Sequence, residues 1–313
     1  MIIVTGEALI DLVLLEGHVA AQPGGVPFNT ARTIGRLGLA PAFLGRLSQD
    51  GFGRMLRARL EQDGVALGLP QLTDAPTTLA AVDVDPGGVP RYHFYLDGTS
   101  SAALEYPIAL PADLTALHAG TLALVIEPAA TSIERLITRD LPPDALMMID
   151  PNCRPQAIAD RPAYLARLAR ILDRADVVKV SAEDLAYPSP GVPTRAAAAA
   201  LLKQGPALVL VTDGPRAARA LLPGRKIAVD VPEVKVVDTT GAGDAFGGAF
   251  LAWWIDNGLG RADLHLPGPV REALQPAVEV AALTCTRVGA EPPWRAEVSG
   301  RPGWGSRARQ PQP

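Results

Sequence analysis

The chain has 313 residues, 48% of them hydrophobic and 20% charged, which excludes a disordered polypeptide and provides enough apolar material for a substantial core. A formal net charge of −4 excludes a general basic field for nucleic acid or an anionic membrane, so the expected partner is a small molecule, with any anion held locally by backbone amides and a few cations. Cys153 and Cys285 form no CxxC or zinc-type spacing, and MIIVTGEALIDL lacks a charged leader, so a cytoplasmic protein without a membrane span is expected.

Short apolar, β-branched runs alternate with stretches of helical period. Ile2–Thr5 precedes Asn29–Leu37, Ala42–Leu44 precedes Phe52–Asp63, and Leu122–Ile126 precedes Ser132–Arg139. The rhythm continues through Leu146–Asp150, Tyr164–Leu172, Val177–Val180, the alanine-rich Arg195–Gln204 and Leu208–Thr212. This pattern predicts an α/β fold, one domain with a mostly parallel central sheet covered by helices on both faces, and ligands at the carboxyl ends of the strands. Thr78–Asp85 and Arg91–Tyr95 interrupt it: both alternate with period two around Pro86-Gly87-Gly88, predicting a β-hairpin. Periodicity leaves open whether this hairpin is a lid or an edge decoration. Beyond about Glu291 the Pro- and Gly-containing sequence loses periodicity, so residues 293–313 are expected to be a mobile tail.

The most informative stretch runs from Val236 to Phe250, VVDTTGAGDAFGGAF, and is expected to be strand, tight glycine turn and helix. Phe246, Phe250, Trp253 and Trp254 recur at helical spacing, which puts Gly241-Ala242-Gly243 at a helix N-terminus, where unpaired amides and the helix dipole favour an anion. Glycines there also suit packing alone, or a dinucleotide fingerprint. Asp244 argues against the dinucleotide, because a carboxylate in the first turn repels a resident pyrophosphate. The same carboxylate can take a proton from a hydroxyl that attacks a phosphoryl group.

Asp238-Thr239-Thr240-Gly241-Ala242-Gly243-Asp244-Ala245-Phe246 resembles the C-terminal signature of the ribokinase-like (pfkB) carbohydrate kinases. Gly24-Gly25-Val26-Pro27-Phe28-Asn29-Thr30-Ala31, followed by Gly35, Leu37 and Gly38, resembles their N-terminal signature. With Gly6-Glu7-Ala8-Leu9-Ile10-Asp11, the likeness covers the chain to about Pro293. It implies a ribokinase-like three-layer sandwich over residues 1–292 with a small β lid from about 12–20 and 77–100. It also implies ATP and Mg2+ as cofactors and a sugar as substrate. By the same resemblance the Gly241, Ala242 and Gly243 amides form the anion hole, Asp244 is the base, and Arg154 bridges sugar and transferred phosphate. Asp11, Gly24, Gly25, Asn29, Tyr95 and Asn152 fall on the sugar side; Lys179, Ser181, Thr212, Gly214 and Gly243 fall on the nucleotide side. On residue type alone Asp11 and Asn29 would be turn and helix caps, a preference that the surrounding motif reverses.

Asp150-Pro151-Asn152-Cys153-Arg154 and Phe94-Tyr95 are most like the fructokinase members, which implies transfer of the ATP γ-phosphoryl group to a keto-sugar. Ketodeoxygluconate kinase, ribokinase and a non-catalytic sugar-binding homologue are the alternatives. Asp184 stands where the family carries a Glu linked indirectly to the metal, Ala217 replaces a glycine, and Leu96 replaces a frequent Arg. Val278 replaces an Asn near the adenine pocket, which leaves open a missing contact or a shifted alignment. The likeness also suggests a monovalent cation such as potassium, and an apolar lid face suggests a homodimer clasped through the lid.

Overall fold

The computed structural model describes residues 1–301 except 16, 70 and 85–89, together with residue 304. From the N-terminus, β1 (Ile2–Thr5) leads into β2 (Leu9–Leu15) and β3 (His18–Gly24), followed by α1 (Val26–Arg36), β4 (Ala42–Leu44), β5 (Arg46–Ser48) and α2 (Gly51–Gln62). Next come β6 (Gln71–Thr73), β7 (Thr78–Val84), β8 (Pro90–Tyr95), β9 (Ala116–Gly120), α3 (Ala129–Arg135), β10 (Leu146–Asp150), α4 (Arg161–Arg174) and β11 (Val177–Ser181). The chain continues with α5 (Ala182–Ala186), α6 (Thr194–Leu202), β12 (Leu208–Thr212), β13 (Ala218–Leu222), β14 (Arg225–Val229), α7 (Ala242–Asp256), α8 (Pro267–Thr284) and α9 (Arg295–Val298).

Eight strands form the central sheet in the order β14-β13-β12-β11-β10-β9-β1-β4. The pairs from β12 to β4 are parallel, and β13 and β14 add an antiparallel edge. Along each buried strand the pleat deals residues to two faces. Ile2, Val4, Met148 and Val177 pack with α1, α2, α7 and α8. Ile3, Leu117, Ile149 and Val178 pack with α3, α4 and α6. The result is three layers with a core on each side of the sheet; each fully buried Ile or Leu contributes about 1.5–3 kcal/mol relative to exposure.

The second sheet, β3-β2-β7-β8, stands over the carboxyl end of β1. Asp11 is opposite Gln22 and Ala80, and Ala80 is opposite Phe94, so these share one face; Val13, Val82 and Tyr92 lie on the same face one pleat along. Ile10, Leu14, Val19 and Tyr95 belong to the other face. Asp50 anchors the root of this sheet: it caps α2 through Gly53 N at 2.7 Å and accepts from Thr77 Oγ1 at 2.6 Å.

Four local expectations are corrected. Leu122–Ile126 is not a strand: β9 is Ala116–Gly120, and the chain then turns into a 3-10 helix at Thr121–Leu124. A short apolar run has no period of its own, and pairing with β1 and β10 selected the earlier residues. The helical stretch at Ser132–Arg139 starts earlier, at Ala129, and passes after Arg135 into a wider π turn at Leu136–Asp140. Val236 and Val237 are exposed loop rather than strand, held through Val237 N to Cys285 O at 2.8 Å. Finally, residues 293–301 and 304 are not a mobile tail: α9 forms there, and Val298 and Trp304 are buried in the α7/α8 core. Arg295 fixes it by stacking on Trp304 and pairing with Asp256 at 3.0 Å. The Pro86-Gly87-Gly88 turn and the rest of the expected tail lie outside the described residues.

Candidate active site

The glycine turn is positioned by two helices. Gly241 is the cap of α7 with a φ of 76°, and a Cβ there would lie 2.9 Å from Ala290 Cα, so only glycine fits both the backbone and the neighbour. The first helix bond is Ala245 N to Gly241 O at 2.8 Å, so the amides of residues 242–244 precede the helix ladder. Ala242 N turns back to Thr239 O at 3.2 Å. Further along α7, a Cβ on Gly248 would lie 2.9 Å from Thr33 Cβ, so this glycine lets α1 and α7 approach closely. That contact carries Asn29, in the first turn of α1, to Asp244: Asn29 Nδ2 donates to Asp244 Oδ2 at 2.8 Å.

Asp244 is only 7% exposed. Burial raises its pKa above the ordinary carboxylate value, while Lys179, Asn29 and Arg154 oppose the rise. Lys179, on β11, is fully buried and donates to Asp150 Oδ2 at 2.7 Å from the adjacent strand end. Burial disfavours its charge, but Asp150, Asp244 and Asp184 together outweigh this and raise its pKa. A Cβ on Gly243 would lie 2.8 Å from Lys179 Nζ, so the ammonium sits directly under the turn. Asp150, pushed up to about 6 mainly by burial, keeps Oδ1 without a protein partner.

The second sheet faces this turn. The Asp11 carboxylate lies against Gly24, where any Cβ would collide with it. Burial pushes Asp11 up to about 6, countered by Arg154 and reinforced by Asp244. Tyr92 lies on the Asp11 face of the lid sheet, and its pKa is raised by burial first and then by Asp11, with Arg154 opposing the rise. Phe94 stacks on Tyr92 with ring centroids 5.9 Å apart. At the end of β10, Asn152 adopts a left-handed φ of 36° and leaves its buried Oδ1 unpartnered. Arg154 NH1 donates to the nearby carbonyls of Asn152 and Cys153, at 3.3 and 3.2 Å.

The structure thus brings together Asp11, Gly24, Gly25, Asn29, Asn152, Arg154, Lys179 and Gly241 to Asp244. One expectation is corrected. Tyr95 is 58% exposed on the far face of the lid sheet, because the pleat sends neighbours to opposite sides; Tyr92 and Phe94 take the inner face. Asp184 Oδ2 accepts from Ser181 N at 2.8 Å and Ser181 Oγ at 2.7 Å, a reciprocal cap of α5. Among the described residues no group of three His, Cys, Asp or Glu side chains could hold a metal. Ser181 and Thr212 are register partners at the ends of β11 and β12, and Gly214 follows with a φ of 56°. Val278 is buried in the α7/α8 core.

Three features escaped sequence reasoning: Tyr92, the Asp150–Lys179 pair and Glu7. Glu7 is fully buried, accepts from Ala123 N at 3.1 Å and leaves Oε1 unpartnered; burial pushes it up to about 8. Counting back by two from Phe94 would have found Tyr92. Nothing local signals the other two.

A glycine turn at a helix start, a buried carboxylate beside it and an acidic, aromatic lid match one family. The pfkB family carbohydrate kinase model matches residues 1–297. The chain belongs to that family. Members are phosphotransferases with a sugar hydroxyl as acceptor, and this chain is one. A fructokinase of Rhizobium leguminosarum bv. trifolii is 36% identical over 260 residues, 80% of this chain and 79% of the relative. The fructokinase of Xylella fastidiosa, solved with bound ATP, superposes with a TM-score of 0.84 at 30% identity, covering 92% of this chain and 93% of that one. A Vibrio cholerae fructokinase variant solved with fructose, ADP and potassium gives 0.80 at 28% identity, with 92% and 93% covered. Among the described residues no helix is long and apolar enough to cross a membrane.

Proposed function

We propose that the protein is an ATP-dependent fructokinase. The observation that carries the catalytic part is the buried Asp244 in the first turn of α7, beside the glycine turn and under the lid. The substrate assignment is supported by the fructokinase relatives and by the Asp150–Arg154 segment at the end of β10.

In this reading Asp11, Asn29 and Asn152 receive sugar hydroxyls, and Gly24 and Gly25 admit the ring close to the backbone. Asp244 accepts the proton of the attacking hydroxyl as its oxygen bonds to the γ-phosphorus and the bond to the β-phosphate oxygen breaks, releasing ADP. The amides of residues 241–243, Lys179 beneath them and Arg154 from β10 offset the charge on the moving phosphoryl group. Tyr92 and Phe94 on the lid exclude water, a competing acceptor. Ser181, Thr212 and Gly214 border the nucleotide.

The glycine turn at the start of α7, with Lys179 beneath it, supports a phosphate there. Among the described residues no three His, Cys, Asp or Glu side chains converge on a metal site, so Mg2+ is assigned to the nucleotide phosphates and water, with Asp184 at most indirectly linked to it. The fructokinase of V. cholerae was solved with potassium, which supports a monovalent cation here as well. Residues 1–292 constitute the proposed kinase unit, with α9 packed on it, in a cytoplasmic enzyme. A homodimer through the lid is supported by Leu14, Val19 and Tyr95, which are 42, 56 and 58% exposed on its outer face.

The test is ADP release with Mg-ATP against fructose, ribose, ketodeoxygluconate, tagatose and adenosine, with Asp244→Asn alongside. Preferential turnover of fructose that disappears in the variant is expected. Preference for another acceptor overturns the fructose assignment, and no turnover by any of them overturns the kinase reading.

A further inference from the structure

The glycine turn does not rest on α7 alone. Ala290 packs against Gly241 so closely that no side chain fits between them, and Asp238 Oδ2 accepts from Gly289 N at 2.8 Å. The segment around 289–292 therefore forms the wall behind the turn. Two buried arginines one helical turn apart on α1 hold that wall. Arg32 donates to Ala290 O at 2.7 Å and to Glu291 at 2.9 Å; Arg36 donates to Pro292 O at 2.6 Å and to Glu291 at 2.6 Å. Both guanidinium groups also bind the two oxygens of buried Asp63, at 2.5 and 2.8 Å, beyond the C-terminal end of α2.

We infer that Arg32 and Arg36 are positioning residues for phosphoryl transfer, holding residues 290–292 through Glu291 so that Ala290 fixes the backbone of the Gly241 turn. The inference rests on the kinase reading above. Both arginines spend their donors on Asp63, Glu291 and the carbonyls of Ala290 and Pro292. Each uses several donors of a planar fork on fixed acceptors, which specifies position as well as charge. A fold could be held by apolar packing at this depth. Two buried guanidinium groups and buried Asp63, joined to half-buried Glu291 that also pairs with Arg59 at 3.3 Å, instead fix a geometry for three successive loop residues. The same helix delivers Asn29 to Asp244, so α1 sets both the base and the turn beside it.

The variant to make is Glu291→Gln, because Glu291 is 29% exposed and its loss leaves Asp63 to neutralise the arginines. Arg36→Lys is the second, since a single ammonium cannot span Asp63, Glu291 and Pro292 O. Ile171→Val, in the opposite core layer, controls for general destabilisation. Turnover of wild type with the same panel of acceptors comes first; its absence with all of them would fault the kinase reading and leave this inference to the second readout, amide hydrogen exchange at residues 241–243. Both Glu291→Gln and Arg36→Lys are expected to lower kcat at least about fivefold, leave the sugar KM within about twofold, and speed exchange at the turn at least about fivefold, while Ile171→Val changes none of these. A smaller effect on kcat, or exchange at the turn no faster than in Ile171→Val, overturns the assignment.

Discussion

Asn29 Nδ2 donates to Asp244 Oδ2 at 2.8 Å, joining the first turn of α1 to the first turn of α7 between residues 215 apart in the chain. One bond therefore orients the proposed base and partly offsets the cost of burying its charge. Asp244→Asn keeps the shape but removes the proton acceptor. It should lower kcat by about 10²–10⁴-fold with ATP and fructose saturating. Activity within about tenfold of wild type would dismiss Asp244 as the base.

The same bond sets a pH limit. Burial raises the pKa of Asp244, so the active carboxylate form is lost on acidification at a higher pH than for an ordinary aspartate. Asn29 opposes that rise by hydrogen bonding the charged form. Asn29→Ala should therefore move the acid limb of kcat/KM to higher pH, whatever it does to the plateau. A limb that stays in place or moves down contradicts the coupling.

Neighbouring lid residues should behave differently. Tyr92 faces Asp11 and Arg154, whereas Tyr95 faces outward. Tyr92→Ala is expected to raise the fructose KM about tenfold and leave association unchanged; Tyr95→Ala should weaken dimerisation, read by sedimentation, with the KM unchanged at dimeric concentrations. The reverse pattern would mean that the pleat has been assigned the wrong way round.

Glu7 predicts a stability profile. The unfolded chain ionises it near 4.5 and the folded protein near 8, so between these values unfolding releases a proton and rising pH favours the unfolded state. The stabilisation from the neutral form is complete below 4.5 and disappears as the pH passes 8. Glu7→Gln should flatten the fall in Tm across this window. An unchanged slope would show that Glu7 is ionised in the fold.

Gly241→Ala tests the turn itself. Its φ of 76° and the contact with Ala290 both oppose a side chain, so a loss of about 1–3 kcal/mol in denaturant titrations is expected, together with reduced kcat.

The layers were legible because buried parallel strands are continuous apolar runs, as at Leu146–Asp150 and Leu208–Thr212, while the intervening helices keep a different period. The glycine turn was legible because Gly241, Gly243 and Asp244 lie together in the chain. Tyr92 and Tyr95 show the limit: both belong to a correctly expected hairpin, but the inward face depends on the register of β7 and β8. Lys179 was expected on the nucleotide side, yet its pairing with Asp150 depends on two strands becoming neighbours, which no local pattern encodes. Trp304 and Val298 were missed because four helical residues are too few to show a period, and only the α7/α8 surface gives them a place to bury.

The distance along the chain between Asn29 and Asp244 also bears on when the enzyme can act. Asp11 and Asn29 occur early and the glycine turn with Asp244 late, and Ala290 behind that turn comes later still. During synthesis the second sheet and most of the central sheet are therefore made long before Asp244 and the glycine turn exist. Because Asn29 must meet Asp244 and Ala290 must back Gly241, the site can be assembled only from a nearly finished chain. Competence is reached only when the last core helix docks.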